Sequence, residues 1–247
     1  MYLSVIMPTY NEASKIIYDL DLLACFLSDS KFDAEIIITD DGSSDDTVAL
    51  VKSFQCPSDI VLHVIANKPN KGKGHAVQQG VQYATGQYIM FCDAGSCTPY
   101  SMIARGLTLL EQPHCDIAHG SRKLAESIIT HQPSWYRQIL SKLFLNTVKR
   151  FMHLPRHLTD TQCGFKMYTQ QAAKALYPLL NTNGFTYDIE IILRAKHANF
   201  TIKEFPIEWA SDSDSRVKPL RMLIQTITSL IQIKRNVDAT IKNMAHR

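Results

Sequence analysis

The chain has 247 residues, 45% of them hydrophobic, and a formal net charge of +3 from 26 Lys and Arg against 23 Asp and Glu. That length can bury a real core, and one domain with a modest extension is the natural reading. No stretch approaches the ~18 uninterrupted apolar residues of a membrane-spanning helix, and the six cysteines (Cys25, Cys56, Cys92, Cys97, Cys115 and Cys163) lack any paired metal-ligand spacing.

The N-terminus enters an apolar strand at once, Leu3-Ser4-Val5-Ile6-Met7, without a charged leader. With scattered cysteines, this points to a reducing cytoplasm. The strand ends in Pro8-Thr9-Tyr10-Asn11-Glu12, and a helix over 12–28 leads to a second strand, Glu35–Thr39. That strand ends in Asp40-Asp41-Gly42-Ser43-Ser44-Asp45-Asp46-Thr47. Acids there can accept hydrogen bonds from a base or ribose, while Ser43, Ser44 or Asp45 equally fits the cap of a helix over 45–54. A third strand, Ile60–Ala66, precedes Asn70-Lys71-Gly72-Lys73-Gly74-His75-Ala76 and a helix over 73–84. Backbone N–H groups at a helix start, with ammonium groups nearby, suit a diphosphate; the spacing is not that of a Walker loop. The fourth strand, Gln87–Cys92, carries Asp93 to its carboxyl end, followed by a helix over 99–111 and a fifth strand at Asp116–His119. Such alternation predicts an α/β fold with a mostly parallel central sheet flanked by helices, and ligands in such sheets bind beyond the strands' carboxyl ends.

Residues 134–152 then read as a basic amphipathic helix, with Trp135 and Tyr136 at one end, a leucine-rich face and interspersed Lys and Arg. This is the pattern of a helix lying in a lipid headgroup layer. A polar turn from Asp160 to Gly164, a short strand, helices near 170–178 and 187–197 and a strand at 201–205 follow. After the polar run Asp212–Arg216, a last amphipathic helix begins beyond Pro219 and runs towards 237. Residues 123–156 hold six Lys and Arg with Glu126 as the one acid, and 216–247 hold seven with Asp238 as the one acid. Half of the positive charge thus lies in two uncompensated segments, which favour phosphates, nucleic acid or acidic lipid.

Taken together and in order, the four strand-end motifs (Pro8 to Glu12, Asp40 to Thr47, Asn70 to Gly74, and Asp93-Ala94-Gly95) resemble the inverting glycosyltransferase family two, with its GT-A type nucleotide-sugar-binding fold. Gly120-Ser121-Arg122, Arg137, Asp160-Thr161-Gln162-Cys163-Gly164-Phe165-Lys166 and Phe185-Thr186-Tyr187-Asp188-Ile189-Glu190 extend the resemblance across residues 3–237, to its dolichyl-phosphate glucose and polyprenyl-phosphate glycosyl synthases. The resemblance implies transfer of a hexose, with glucose from UDP-glucose foremost, to a polyprenyl or dolichyl phosphate, by a protein peripheral to the cytoplasmic face of a membrane. It implies that Pro8, Tyr10, Glu12 and Asp40 surround the base and ribose, with Gly72, Lys73 and Ala94 beside the nucleotide. Asp93 would contact ribose or metal, and Asp160 and Gln162 would line the sugar site. Arg122 and Arg137 would clamp the acceptor phosphate, which guanidinium forks match bidentately, and Arg216 would lie on a loop closing over the phosphates. Residues 1–212 would form the catalytic domain, with 134–154 as its interfacial helix, and 213–247 the acceptor loop and C-terminal basic helix. An acceptor phosphate is already anionic, so alignment and charge stabilisation suffice. Consistently, no nucleophilic triad is evident, and His75 and His119 each stand alone.

One position departs from the pattern. Where the surroundings lead one to expect Asp-Ala-Asp, residues 93–95 read Asp-Ala-Gly. A carboxylate pair there would hold Mg²⁺ or Mn²⁺, because hard cations take oxygen ligands; Gly95 leaves Asp93 alone. Ser96 or Cys97 could replace the missing ligand, although a thiol is a soft partner for Mg²⁺. Two further readings follow: a non-catalytic or metal-independent nucleotide-sugar-binding protein, and a transferase with a non-lipid glycan acceptor, against which the two basic helices argue. Nucleic acid is set aside, since the basic segments lack a base-stacking pattern of aromatics.

Overall fold

The structure, a computed structural model, describes residues 1–130, 135–210 and 228–240, with the side chains of 135–141 and 144 outside the description. The apolar runs form β1 (Leu3–Thr9), β2 (Ala34–Asp40), β3 (Ile60–Ala66), β4 (Tyr88–Cys92) and β5 (Ile117–Ser121). Between them lie α1 (Ile16–Asp29), α2 (Thr47–Ser53), α3 (Lys73–Tyr83) and α4 (Met102–Leu110). The second half adds β6 (Ile128–Ile129), α5 (Trp135–Met152), β7 (Phe165–Thr169), α6 (Gln170–Leu176), α7 (Tyr187–His197), β8 (Ile202–Pro206) and β9 (Glu208–Trp209). A last helix, α8, covers 228–240.

Seven strands pair in the order β3-β2-β1-β4-β7-β5-β8, and β6 pairs with β9 apart from them. Every neighbour in the large sheet is parallel except β7, which is antiparallel to both β4 and β5. The mostly parallel sheet expected from the alternation is therefore present. Chain order reverses direction between β1 and β4, which opens a crevice at their carboxyl ends. Because β7 runs the other way, its entry segment, residues 160–164, arrives at that same edge. Pairing of Cys92 with Phe165 puts Gly164 beside Asp93, and Asp93 N donates to Gly164 O at 3.0 Å.

Strand alternation sends side chains to two cores. Leu3, Val5, Met7, Ile36, Ile38 and Met90 pack with α1 and α4 residues such as Leu20, Leu23, Ile103 and Leu107. Ile6, Ile37, Ile89 and Phe91 pack on the opposite face with Val77 and Val81 of α3, Tyr187 and Ile191 of α7, Val148 and Met152 of α5, and Leu230, Ile233 and Val237 of α8. Two expected boundaries shift. Helix α1 starts at Ile16 rather than 12, because Asn11 takes φ 55° and the N–H groups of Glu12 and Ala13 bond to Thr47 and Asp45 instead of opening a helix. Helix α8 continues to 240, and the segment where its start was expected lies outside the described residues.

Candidate active site

The first two strand-end motifs interlock. Asn11 N donates to Ser43 Oγ at 2.8 Å and Ser44 N donates to Asn11 Oδ1 at 2.8 Å, joining the β1 loop to the β2 loop. Asp40 is buried, and its Oδ1 accepts from Gly42 N and Ser43 N while Oδ2 meets Ser43 Oγ. Gly42, at φ 82°, makes this turn possible. The expected side-chain cap of α2 is absent: its N-cap is Asp46 without a capping bond, and Asp45 Oδ1 instead accepts from Thr47 N at 3.1 Å in a turn ahead of the helix. Asp41 has a different task, since its two carboxylate oxygens accept from Lys71 N at 2.9 Å and Gly72 N at 2.7 Å. The acidic turn therefore anchors the Gly-Lys-Gly turn of the third motif.

That turn is held from the other side as well. Gly72, at φ 110°, has no room for a Cβ against the Asn183 carbonyl, and Gly74 N donates to the same oxygen at 2.7 Å. The 181–183 loop is in turn fixed by Glu190, which accepts from Asn181 N and Thr182 N and pairs with Arg194. So clamped, Lys73 begins α3 with its ammonium on the Asp93 carboxylate and above the Phe91 ring, 5.9 Å from its centroid. Burial pulls the Lys73 pKa down, but Asp93 and Asp188 outweigh it and raise it, so the ammonium stays charged. On the other side, Lys166 lies fully buried 5.6 Å from the Phe91 centroid and pairs with Asp188 at 2.6 Å. Burial raises the Asp188 pKa against the pull of Lys166 and Lys73.

Across the crevice, Arg122 leaves the end of β5 and meets Asp160 through two bonds, Nε to Oδ2 at 2.6 Å and Nη2 to Oδ1 at 2.9 Å. Its guanidinium lies 5.2 Å from the Trp209 ring centroid. Burial pushes the Asp160 pKa up, but Arg122 overrides it and holds the carboxyl at about 2. Gln162 N bonds back to Asp160 Oδ1 at 3.2 Å, while the Gln162 side-chain nitrogen is enclosed without a protein partner. Beside Asp93 a small open pocket is lined by Asp93, Cys97, Thr98, Tyr100, Cys163 and Trp209, among others. Burial pushes the Cys163 thiol up to about 12 and raises Cys92 further, so neither is a thiolate nucleophile. His119 is buried against Tyr168, and burial with Lys166 nearby holds it neutral. It is a core residue, not a base.

The donor set around Asp93 does not fit a divalent cation. Its carboxylate already carries the Lys73 ammonium. Gly95 sits at φ 102°, a conformation strained for any side chain, with its N–H on Asp19 Oδ2 at 2.5 Å. Asp19, reaching up from α1, is buried and also bonded by Ser96 Oγ, so it braces the loop and does not face the crevice as a second ligand. Among the described residues, no group of three or more His, Cys, Asp or Glu is placed to hold a metal ion.

The structure thus brings Asp40, Gly72, Lys73, Asp93, Arg122, Asp160 and Gln162 to one sheet edge. Pro8, next to last in β1, is half-buried, Tyr10 is exposed, Glu12 pairs with Lys15 at 3.5 Å, and Ala94 packs partly buried against the core that includes α1. Arg137 lies in the first turn of α5 with its side chain outside the description, and Arg216 lies outside the described residues. Sequence reasoning gave no role to Asp41, Lys166, Asp188, Trp209 or Asp19. The first three stood inside quoted motifs, whereas Trp209 and Asp19 carried no local signal.

A mostly parallel sheet with its switch point between β1 and β4, and charged side chains gathered at the strand ends, is the architecture of a nucleotide-binding α/β protein. The chain belongs to glycosyl transferase family 2, whose family model matches residues 4–177. It is 34% identical over 249 residues to the dolichyl-phosphate beta-glucosyltransferase of Dictyostelium discoideum, covering 95% of this chain and 74% of the relative. To the Homo sapiens protein of the same name it is 31% identical over 245 residues, covering 94% and 74%. Solved structures share the fold at lower identity. Mycobacterium tuberculosis glucosyl-3-phosphoglycerate synthase, in complex with Mn²⁺, uridine diphosphate and phosphoglyceric acid, aligns with a TM-score of 0.63 at 18% identity over 94% of this chain and 78% of that one. Mannosyl-3-phosphoglycerate synthase from Rubrobacter xylanophilus aligns at 0.64 and 15% identity, over 100% and 76%.

Proposed function

We propose that this glycosyltransferase moves a hexose, glucose from UDP-glucose before others, onto polyprenyl or dolichyl phosphate with inversion at the anomeric carbon. The observation that carries the reading is the convergence at one sheet edge of Lys73 with Asp93 and of Arg122 with Asp160 and Trp209. The dolichyl-phosphate glucosyltransferases of similar sequence support the lipid acceptor. In this reading Pro8, Tyr10, Glu12 and the Asp40 turn frame the base and ribose, and Gly72, Lys73, Asp93 and Ala94 lie along the ribose and diphosphate. Gln162 and Asp160 border the sugar, and Arg122, joined by Arg137 and Arg216, grips the acceptor phosphate. Residues 1–212 would make up the catalytic part, and 213–247 the acceptor loop and final helix.

The chemistry asks little of acid or base. An acceptor phosphate oxygen, already anionic, forms the new bond to the anomeric carbon as the carbon–oxygen bond to the donor diphosphate breaks, and its electron pair departs with UDP. Holding the two in line supplies most of the advantage. Arg122 is pre-set by Asp160 and Trp209, which leaves its remaining N–H groups for phosphate oxygens. Docking would be peripheral, on an anionic cytoplasmic membrane face. Leu143 and Phe151 of α5 and Ile231 of α8 are exposed beside exposed Lys142, Arg150 and Arg235, the composition of an interfacial surface. No helix among the described residues is long and apolar enough to cross a membrane.

The test incubates purified protein with labelled UDP-glucose and polyprenyl phosphate, alongside GDP-mannose and UDP-N-acetylglucosamine. Label extractable into organic solvent is expected with UDP-glucose. Its absence with every donor would overturn the proposal.

A further inference from the structure

We propose that the Lys73 ammonium takes the place of a divalent cation at the donor diphosphate, so that donor binding proceeds without metal. The inference rests on the nucleotide-sugar reading of the site and goes beyond it. In a metal-bridged arrangement a cation joins a protein carboxylate to phosphate oxygens. Here a carboxylate, Asp93, already holds a cation that belongs to the chain. An ammonium has three N–H donors and no acceptor. One satisfies Asp93, and the other two remain for diphosphate oxygens, giving the same carboxylate–cation–phosphate order.

The geometry around Lys73 makes it a fixed cation, not a swinging surface lysine. Its flanking glycines are pressed against the 182–183 backbone, Asp41 holds the turn from the opposite side, and the ammonium lies over the Phe91 ring. Lys73 is also the first residue of an eleven-residue helix, whose amino end adds partial positive charge towards a phosphate. The absence of a carboxylate at 95 is built in rather than incidental, because that residue's φ of 102° and its bond to Asp19 belong to a loop shaped around glycine. During transfer the same ammonium donates hydrogen bonds to the departing diphosphate as its charge rises, and no proton need change hands.

Calorimetry of UDP binding tests this without recourse to turnover. Wild-type protein in EDTA should bind UDP with a dissociation constant within about twofold of that in Mn²⁺. Lys73→Met should weaken UDP binding by about tenfold or more, the loss expected for a charge-assisted hydrogen bond, while retaining its far-ultraviolet circular dichroism. Lys73→Arg, which keeps the charge, should retain metal-independent binding in part. Mn²⁺ tightening UDP binding to the wild type by more than about tenfold, or a Lys73→Met protein that binds UDP normally, overturns the inference and leaves the nucleotide-sugar reading standing. Failure to bind UDP or GDP with or without Mn²⁺ overturns both.

Discussion

At the scale of single residues, the site is a set of paired charges: Lys73 with Asp93, Lys166 with Asp188 and Arg122 with Asp160. The last pair is the most telling, because Asp160 is almost fully enclosed while Arg122 keeps 27% of its side chain exposed. Removing one member of a buried pair strands the other, at a cost of about 3–5 kcal/mol. Arg122→Met should approach the lower end of that range, given the partial exposure of the arginine, and denaturant unfolding measures it. The pH dependence has a definite sign. Asp160 is held at about 2 in the folded chain, below its ordinary value, so it stabilises above the ordinary carboxylate range and loses that contribution as pH falls through its folded pKa. With Arg122 gone, burial raises the Asp160 pKa, so the stability gap between wild type and Arg122→Met should narrow as pH falls through that raised value and be nearly closed by about pH 2. A gap independent of acid pH would show that the two side chains do not interact in solution.

At the scale of elements, the strands were legible because each is an apolar run ending in a motif rich in Gly, Asp or Asn. Lys73 and Asp93 were legible as candidates, yet their contact was not. It depends on β4 pairing beside β1, which brings the end of β4 to the start of α3, and no local pattern announces strand order. The Asp-Thr-Gln-Cys-Gly-Phe-Lys motif gained its meaning the same way: Asp160 faces Arg122, Gly164 lies beneath Asp93 where a Cβ would collide with the carboxylate, and Lys166 meets Asp188. Trp209 lies in a two-residue strand too short to leave a periodic signal. The helical pattern at 134–152 was correct in its extent, and what the structure adds is direction. Val148 and Met152 turn inward, while Leu143, Thr147 and Phe151, four residues apart, lie along an exposed strip. If that strip meets a membrane, Leu143→Glu with Phe151→Glu should abolish flotation with vesicles containing anionic lipid. High salt should weaken flotation of the wild type, because each basic residue near such a surface contributes about 1 kcal/mol that ions screen. Unchanged flotation by the double variant would remove α5 from the docking surface.

At the scale of the whole molecule, the family match over residues 4–177 does not contain everything the site needs. Asn183 backs Gly72 and Gly74, Asp188 pairs with Lys166, and Trp209 lies on Arg122, all from beyond that boundary. Helix α8 is the outermost part of this closing layer. Leu230, Ile233 and Val237 are buried in the same cluster as Val148 and Met152 of α5, and Lys234 lies 5.1 Å from the Phe151 ring centroid. Burying a Leu, Ile or Val side chain contributes about 1.5–3 kcal/mol, and three of them together approach the whole stability of an ordinary domain, about 5–15 kcal/mol. A chain ending at residue 227 should therefore show a much lower denaturant midpoint, and Ile233→Ala alone should cost about 2–5 kcal/mol. The functional consequence follows from connectivity: α5 rests on α8, so loosening α8 should free α5 and weaken vesicle flotation before UDP binding is touched. Lys73, Asp93 and the Asp40 turn are instead held by β1, β2, α3 and the 181–183 loop. Loss of UDP binding in step with flotation in the Ile233→Ala protein would show that the two halves of the site are not separately supported.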